Sequence, residues 1–276
     1  MTRFVIAAML LWGATKAHAQ IKLNTPHVES ILYVGQGEEQ PLIVGLGGSE
    51  GGNAWAGNYW KATRDSFLKK GYAFLAIGYF GAVGTPENLD RIAIEDVYKA
   101  IMTAADVEHV RKDKIAIVGG SRGADLALLL GSYYREFTCI VGLVPSHAVF
   151  PGHTQQLNTS CWTFQGKELP YIPVNEEAVP FLLNRNLRGA FDAMLKDSVA
   201  EKKALIPVTD INGPVLLMSA TEDEICPSME MSGKMMKAFD ASHFKFHHEH
   251  LCFKGGHGEP LKHFDKVYQF LQLHFL

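Results

Sequence analysis

Long runs of like charge are missing from this sequence. Its 26 basic and 29 acidic residues are interspersed and leave a net charge of −3 over 276 residues, so neither a nucleic-acid groove nor a polybasic membrane patch is expected. Cysteine is scarce: there are four, and none precedes Cys139, which excludes a lipid-modified cysteine near the amino terminus. After the first 20 residues no apolar stretch is long enough to span a bilayer, and no internal repeat or low-complexity tract occurs. Apolar residues still make up 47% of the chain, which suits one well-buried globular domain.

The first 19 residues read as separate from that domain. Arg3 supplies a small positive start, the apolar run over 4–14 is too short to cross a bilayer, and Ala17-His18-Ala19 offers small residues to a signal peptidase. The expectation is an exported protein, periplasmic or secreted, cleaved near Ala19, with a single domain over 20–276. Nothing in the sequence specifies an oligomeric state. Export permits disulfides. Cys226 and Cys252, near the ends of the last two expected strands, are a candidate pair, whereas a strand of roughly 20 Å separates Cys139 from Cys161.

Short apolar runs then alternate with amphipathic stretches, the pattern of an α/β protein with a mainly parallel central sheet flanked by helices. Strands are predicted over 41–46, 72–77, 114–118, 138–144, 215–219 and 243–253, and helices over 59–70, 89–104, 124–134 and 228–239, with a last helix opened by Pro260. Between residues 150 and 207 the rhythm stops. This insertion, rich in Gly, Pro, Asn and aromatics, is too short to hold much core of its own and reads as a lid, with a helical stretch over 176–200 interrupted at Pro180. Trp162 and Phe164 are expected to be its substrate-facing aromatics.

The pentapeptide Gly119-Gly120-Ser121-Arg122-Gly123 sits between an expected strand and an expected helix, the context that a G-x-S-x-G nucleophile elbow requires. A serine hydroxyl is a poor nucleophile unless a base and a group orienting that base accompany it. In the α/β-hydrolase fold these follow in the order acid, then histidine. Asp223 lies just beyond the strand over 215–219, and His257 follows the last strand within Gly255-Gly256-His257-Gly258. Glu222 and Glu224 compete for the acid role; the Ile225-Cys226-Pro227 turn beyond Asp223 favours the aspartate. Oxyanion donors are expected from the backbone of Arg122 and from Ser49 or Glu50, in the glycine-rich loop after the first strand. That loop does not fit a dinucleotide fingerprint, because Glu50 stands where a Gly or Ala is needed. His243, His247, His248 and His250 scatter over both faces of a strand, and no spaced Cys/His signature marks a metal site. No cofactor is implied.

Three stretches resemble the C-terminal catalytic domain of the acyl-CoA thioesterase and bile-acid-CoA:amino-acid N-acyltransferase family. They are Leu46-Gly47-Gly48-Ser49-Glu50-Gly51-Gly52, the segment from Ile117 through Ser121 to Ala127, and Asn212-Gly213-Pro214-Val215-Leu216-Leu217 running on to Pro227-Ser228. Tyr79-Phe80-Gly81 and Pro86-Glu87-Asn88-Leu89 look similar as well. The resemblance implies an α/β-hydrolase fold, a triad on Ser121, Asp223 and His257, and a small-molecule acyl ester or thioester substrate. The conjugating acyltransferases resemble this pattern with Cys as nucleophile, whereas this chain has Ser121, which favours hydrolysis over transfer. Acyl transfer, or a non-catalytic binding protein of the same fold, is the alternative. Mass spectrometry of the chain recovered from its host is expected to find an amino terminus near Gln20; an intact Met1 would overturn the leader.

Overall fold

The computed structural model describes residues 19–276, so the leader, apart from Ala19, lies outside the described residues. An eight-stranded sheet forms the centre, in the order β1 (Ala19–Leu23), β2 (Glu29–Val34), β4 (Ala73–Gly78), β3 (Gln40–Leu46), β6 (Val110–Gly120), β7 (Phe137–Leu143), β10 (Val215–Ala220) and β11 (His248–Phe253). From β4 to β11 every neighbouring pair is parallel, and β1 and β2 add antiparallel strands at one edge. Those two strands are absent from the sequence reading. The exposed β1 alternates polar and apolar residues and β2 opens on Glu29-Ser30, so neither presents a continuous buried run.

Side-chain alternation along the central strands fills two cores. In β6, Ile115 and Ile117 face the core that holds α2 (Ile94–Ala105), α3 (Arg122–Tyr133) and part of α7 (Ser228–Ala241). Ala116 and Val118 face the opposite core, with α1 (Lys61–Lys69), Trp55 and α8 (Phe264–His274). Trp55, Trp60, Phe67, Phe74 and Phe264 meet there with ring centroids 4.1–6.5 Å apart.

Several boundaries move from their expected places. The helix after Leu89 begins only at Ile94, because Ile92–Ala93 is first drawn into a short strand, β5. The last strand begins at His248 rather than His243, whose φ is +52°. Pro260 opens a 3-10 turn, Glu259–Lys262, and α8 follows it.

The insertion is not one lid. Its first part carries β8 (Trp162–Phe164) and β9 (Lys167–Glu168), which join β5 in a three-stranded sheet beside α3. The small sheet packs on α2, while α3 is buried from Arg122 to Gly131 by the central strands, α2 and the 3-10 turn over 208–210, with no solvent-facing stripe. The second part forms α4 (Val179–Leu183), α5 (Leu187–Met194) and α6 (Ser198–Ala204). Pro180 starts α4 rather than interrupting a helix, and the breaks fall where Asn186 and Asp197 cap α5 and α6 through their side chains. These helices share a small core of their own, including Phe150, Ile172, Phe191 and Met194, which reaches Cys226 and Met231.

The expectation that Trp162 and Phe164 cover the substrate is therefore corrected. Trp162 is fully buried, 5.7 Å from the ring of Tyr79. Phe164 packs on Tyr133 at the far end of α3, about 18 Å of helix from Ser121. The β-pairing of this segment with β5 turns both rings into the body of the domain. Trp162→Ala is expected to cost about 3–5 kcal/mol of stability, and the half-exposed Phe164 clearly less when truncated. Thermal melts of the two variants check this ranking.

Candidate active site

Ser121 occupies the turn between β6 and α3 with φ +52° and ψ −121°, a conformation that L-residues hold only when the surroundings over-determine it. Its N–H donates to Leu143 O at 2.8 Å, and its carbonyl accepts from Ala124 and Asp125 at 2.8 and 3.3 Å. The flanking glycines are steric requirements. A Cβ on Gly119 would stand 2.0 Å from Gly123 O, and one on Gly123 would stand 2.3 Å from Gly47 O. Val144, just after β7, also has positive φ, +49°, an outlier for a β-branched residue, and it faces the space above Ser121.

The carboxyl ends of β10 and β11 bring the other two expected residues to this turn. His257 Nε2 lies 3.1 Å from Ser121 Oγ, and Nδ1 lies 2.9 and 3.0 Å from the two Asp223 oxygens. A tautomer protonated on Nδ1 satisfies both contacts. Asp223 is buried, and burial alone would raise its pKa. The bond from His257 and a 2.5 Å bond from Ser228 Oγ oppose this, together with the Cys226 N–H at 3.1 Å, and hold the carboxyl below its ordinary value. The competing acids are elsewhere. Glu222 is exposed, while Glu224 accepts the backbone N–H of His257 at 2.9 Å, so it anchors the histidine loop without facing the ring nitrogens.

The Arg122 N–H heads α3, where helix geometry leaves it without an intrahelical acceptor. Across from it the glycine-rich loop comes close: a Cβ on Gly48 would be 3.0 Å from Ser121 Cβ. Neither Ser49 nor Glu50 donates its N–H to a backbone acceptor among the described residues. Ser49 borders the space on both sides of Ser121, and Glu50 borders one side, with its carboxylate folded back over Gly47 and Gly48. The buried Tyr79 hydroxyl, donating to Gly47 O at 2.6 Å, pins this loop. No motif in the sequence marked that tyrosine's contact, nor Arg188 of α5, which donates to Asp223 O at 3.1 Å and so ties the lid to the acid loop.

Two cavities of about 300 and 320 Å³ meet at Ser121. The first is lined by His257, Trp55, Trp60, Leu143 and Leu261, and the second by Arg122, Phe191 and Met194 with Val174, Leu182 and Leu187 of the lid segment. Among the described residues, one group could offer three donors to a metal: Asp223, Cys226 and His257. Its chemistry does not suit a cation. The Asp223 oxygens already accept from Ile225, Cys226, Ser228 and His257, and burial holds the Cys226 thiol protonated. The candidate disulfide is also corrected: Cys226 and Cys252 are both free thiols, the first buried and the second exposed.

Residues 93–259 match the family described as BAAT / Acyl-CoA thioester hydrolase C terminal. The chain belongs to this family. Relatives of this BAAT-type domain include acyl-coenzyme A thioesterase 6 of Mus musculus, 29% identical over 213 residues, covering 74% of this chain and 45% of that protein. Acyl-coenzyme A thioesterase 1 of Rattus norvegicus is 24% identical over 189 residues, covering 68% and 42%. The BAAT-type chain thus spans under half the length of these relatives. Its fold is that of an α/β hydrolase. An acylaminoacyl peptidase of Pyrococcus horikoshii superposes with TM-score 0.68 at 16% identity, over 94% of this chain and 41% of that one. A Pyrococcus furiosus esterase superposes with TM-score 0.62 at 15% identity, over 94% and 92%.

Asp223→Asn is expected to lower kcat by about four orders of magnitude while the protein stays folded, because the neutral amide favours the wrong imidazole tautomer. Glu222→Gln should remain near wild type, and Glu224→Gln should fall only a few-fold. Steady-state kinetics on the three purified variants check the ranking, which reverses if a glutamate is the acid.

Proposed function

We propose that the chain is a serine hydrolase of carboxylic esters or thioesters. One observation carries the reading: the unbroken relay from Ser121 Oγ through the His257 ring to buried Asp223, with a cavity on each side of the serine. In this mechanism Ser121 attacks the acyl carbon as His257 Nε2 takes its proton. The oxyanion gathers at the N–H of Arg122 and that of Ser49 or Glu50. The tetrahedral intermediate then collapses, His257 returns the proton to the leaving oxygen or sulfur, and water repeats the cycle on the acyl-enzyme. Asp223 holds the Nδ1–H and stabilises the imidazolium without itself becoming protonated.

The family of thioesterases and the esterase-like fold support the acyl chemistry. The serine at position 121 supports water as acceptor, since a serine ester is readily resolved by it. Export, expected from the first 19 residues, would place the protein away from intracellular acyl-CoA and favour ester substrates. The proposed domain runs over 20–276, and its lid is redrawn as the helical segment from α4 to α6.

A fluorophosphonate probe is expected to label Ser121, and Ser121→Ala to abolish both labelling and most hydrolysis of p-nitrophenyl esters. His257→Ala should be similarly crippling, by about 10³-fold or more, and the double variant hardly worse than either single one, because the members act as a unit. An unlabelled but folded protein, or additive losses, would overturn the mechanism.

A further inference from the structure

The second cavity contains a charge that a plain fatty-acyl pocket does not need. The Arg122 guanidinium lies in its wall, about nine-tenths buried, packed over the rings of Phe150 at 5.2 Å and Phe191 at 5.4 Å. Nη1 donates to Asp125 Oδ2 at 2.9 Å. The other Asp125 oxygen accepts the Ser146 N–H at 2.7 Å, so the carboxylate is satisfied by protein groups. The Arg122 Nε and Nη2 are different: among the described residues they have no protein acceptor, yet neither is sealed away from the cavity. A buried guanidinium with two nitrogens unused is an expensive arrangement unless something that binds there accepts from them.

The geometry also assigns the cavities to the two halves of a substrate, resting on the hydrolase reading above. The base must return its proton to the leaving group, so that group lies on the side of His257, which lines the first cavity and not the second. The acyl group is left with the second cavity. Arg122 directly follows Ser121, which puts its side chain a few bonds beyond the acyl carbon.

Charge decides what the arginine would receive. Arg122 and Asp125 form a neutral pair: burial raises the Asp125 pKa, and Arg122 with Ser146 limits the rise to about 6, so the carboxylate is mostly ionised at neutral pH. The Cys226 thiol, kept protonated by burial, and His153 are the other titratable groups facing this cavity. The protein mass around it and the Arg122 charge hold its imidazole down at about 4, hence neutral. A carboxylate on the substrate would leave this apolar chamber with an uncompensated negative charge. An oxo, hydroxy or amide oxygen would not.

We propose that the second cavity selects acyl groups carrying an uncharged hydrogen-bond acceptor a few carbons from the ester, received by the free nitrogens of Arg122.

The test compares p-nitrophenyl esters of four six-carbon acids: hexanoate, its two analogues with an oxo group on the fourth or the fifth carbon, and the adipate half-ester, each corrected for spontaneous hydrolysis. The better oxo ester is expected to exceed hexanoate by about 10- to 100-fold in kcat/KM, as for a hydrogen bond to a charged group, with the half-ester below both. In Arg122→Met/Asp125→Asn, which strands no buried charge, the oxo-to-plain ratio should fall close to one. Arg122→Lys, which keeps the partner of Asp125 but loses the planar fork, should give an intermediate ratio. Equal turnover of plain and oxo esters by the wild type overturns the proposal even if the double variant fails to fold. So does a half-ester that is the best substrate, or an oxo preference that survives in a folded double variant. Absence of turnover on every ester, with no fluorophosphonate labelling, overturns the hydrolase reading itself and this one with it.

Discussion

Most of the site depends on how closely three backbones cross at Ser121. The β6–α3 turn, the loop after β3 and the end of β7 meet there with no room for side chains at Gly119 or Gly123. The serine is thereby forced into a left-handed conformation that costs on the order of 1–3 kcal/mol. That strain is tolerated because the sheet and α3 are buried around it on every side. The result is a half-buried Oγ that meets His257 Nε2, beside the first N–H of α3. A turn relaxed by one bulky residue would lose the serine's direction and the approach of Gly48 together.

The same crossing organises the surrounding charges. Asp125, one turn into α3, receives Arg122 and the Ser146 N–H, so a single carboxylate links the elbow helix to the segment that follows β7 and leads into the insertion. On the other side, Asp223 gathers Ser228, two backbone N–H groups and His257, and Arg188 extends that network into the lid. Two buried carboxylates therefore flank the serine with opposite shifts. Asp125 is raised by burial, whereas the hydrogen bonds to Asp223 outweigh burial and lower it. The difference follows from the deeper burial of Asp125 and the larger number of donors that Asp223 receives, and it keeps the orienting carboxylate ionised.

The insertion shows how one stretch of chain serves two purposes. Its first half adds a small sheet that packs on α2 and sets Trp162 behind Tyr79, which in turn holds Gly47. Its second half is a set of short helices that share a core with Phe150, Cys226 and Met231 and carry several exposed apolar side chains, among them Val179, Phe181 and Leu183 on α4.

Local features were legible from the sequence wherever their cause was local. The elbow requires glycines on either side of a serine between a strand and a helix, and the buried parallel strands show as apolar runs, so residues 119–123 and most of the sheet could be read directly. The order Ser121, Asp223, His257 followed from topology, since each stands just past the carboxyl end of a strand. The edge strands β1 and β2 were not legible, because a half-exposed antiparallel pair mixes polar and apolar residues and depends on its partner for identity. The direction of Trp162 and Phe164 was misjudged for a related reason: aromatic composition is the same in a lid and in a core, and only pairing with β5 turned them inward. The roles of Tyr79, Glu224, Arg188 and the unused nitrogens of Arg122 were set by contacts between residues as many as 35 positions apart, or by the shape of a cavity. Such contacts leave no periodic trace in a chain, so the tertiary structure alone decided them.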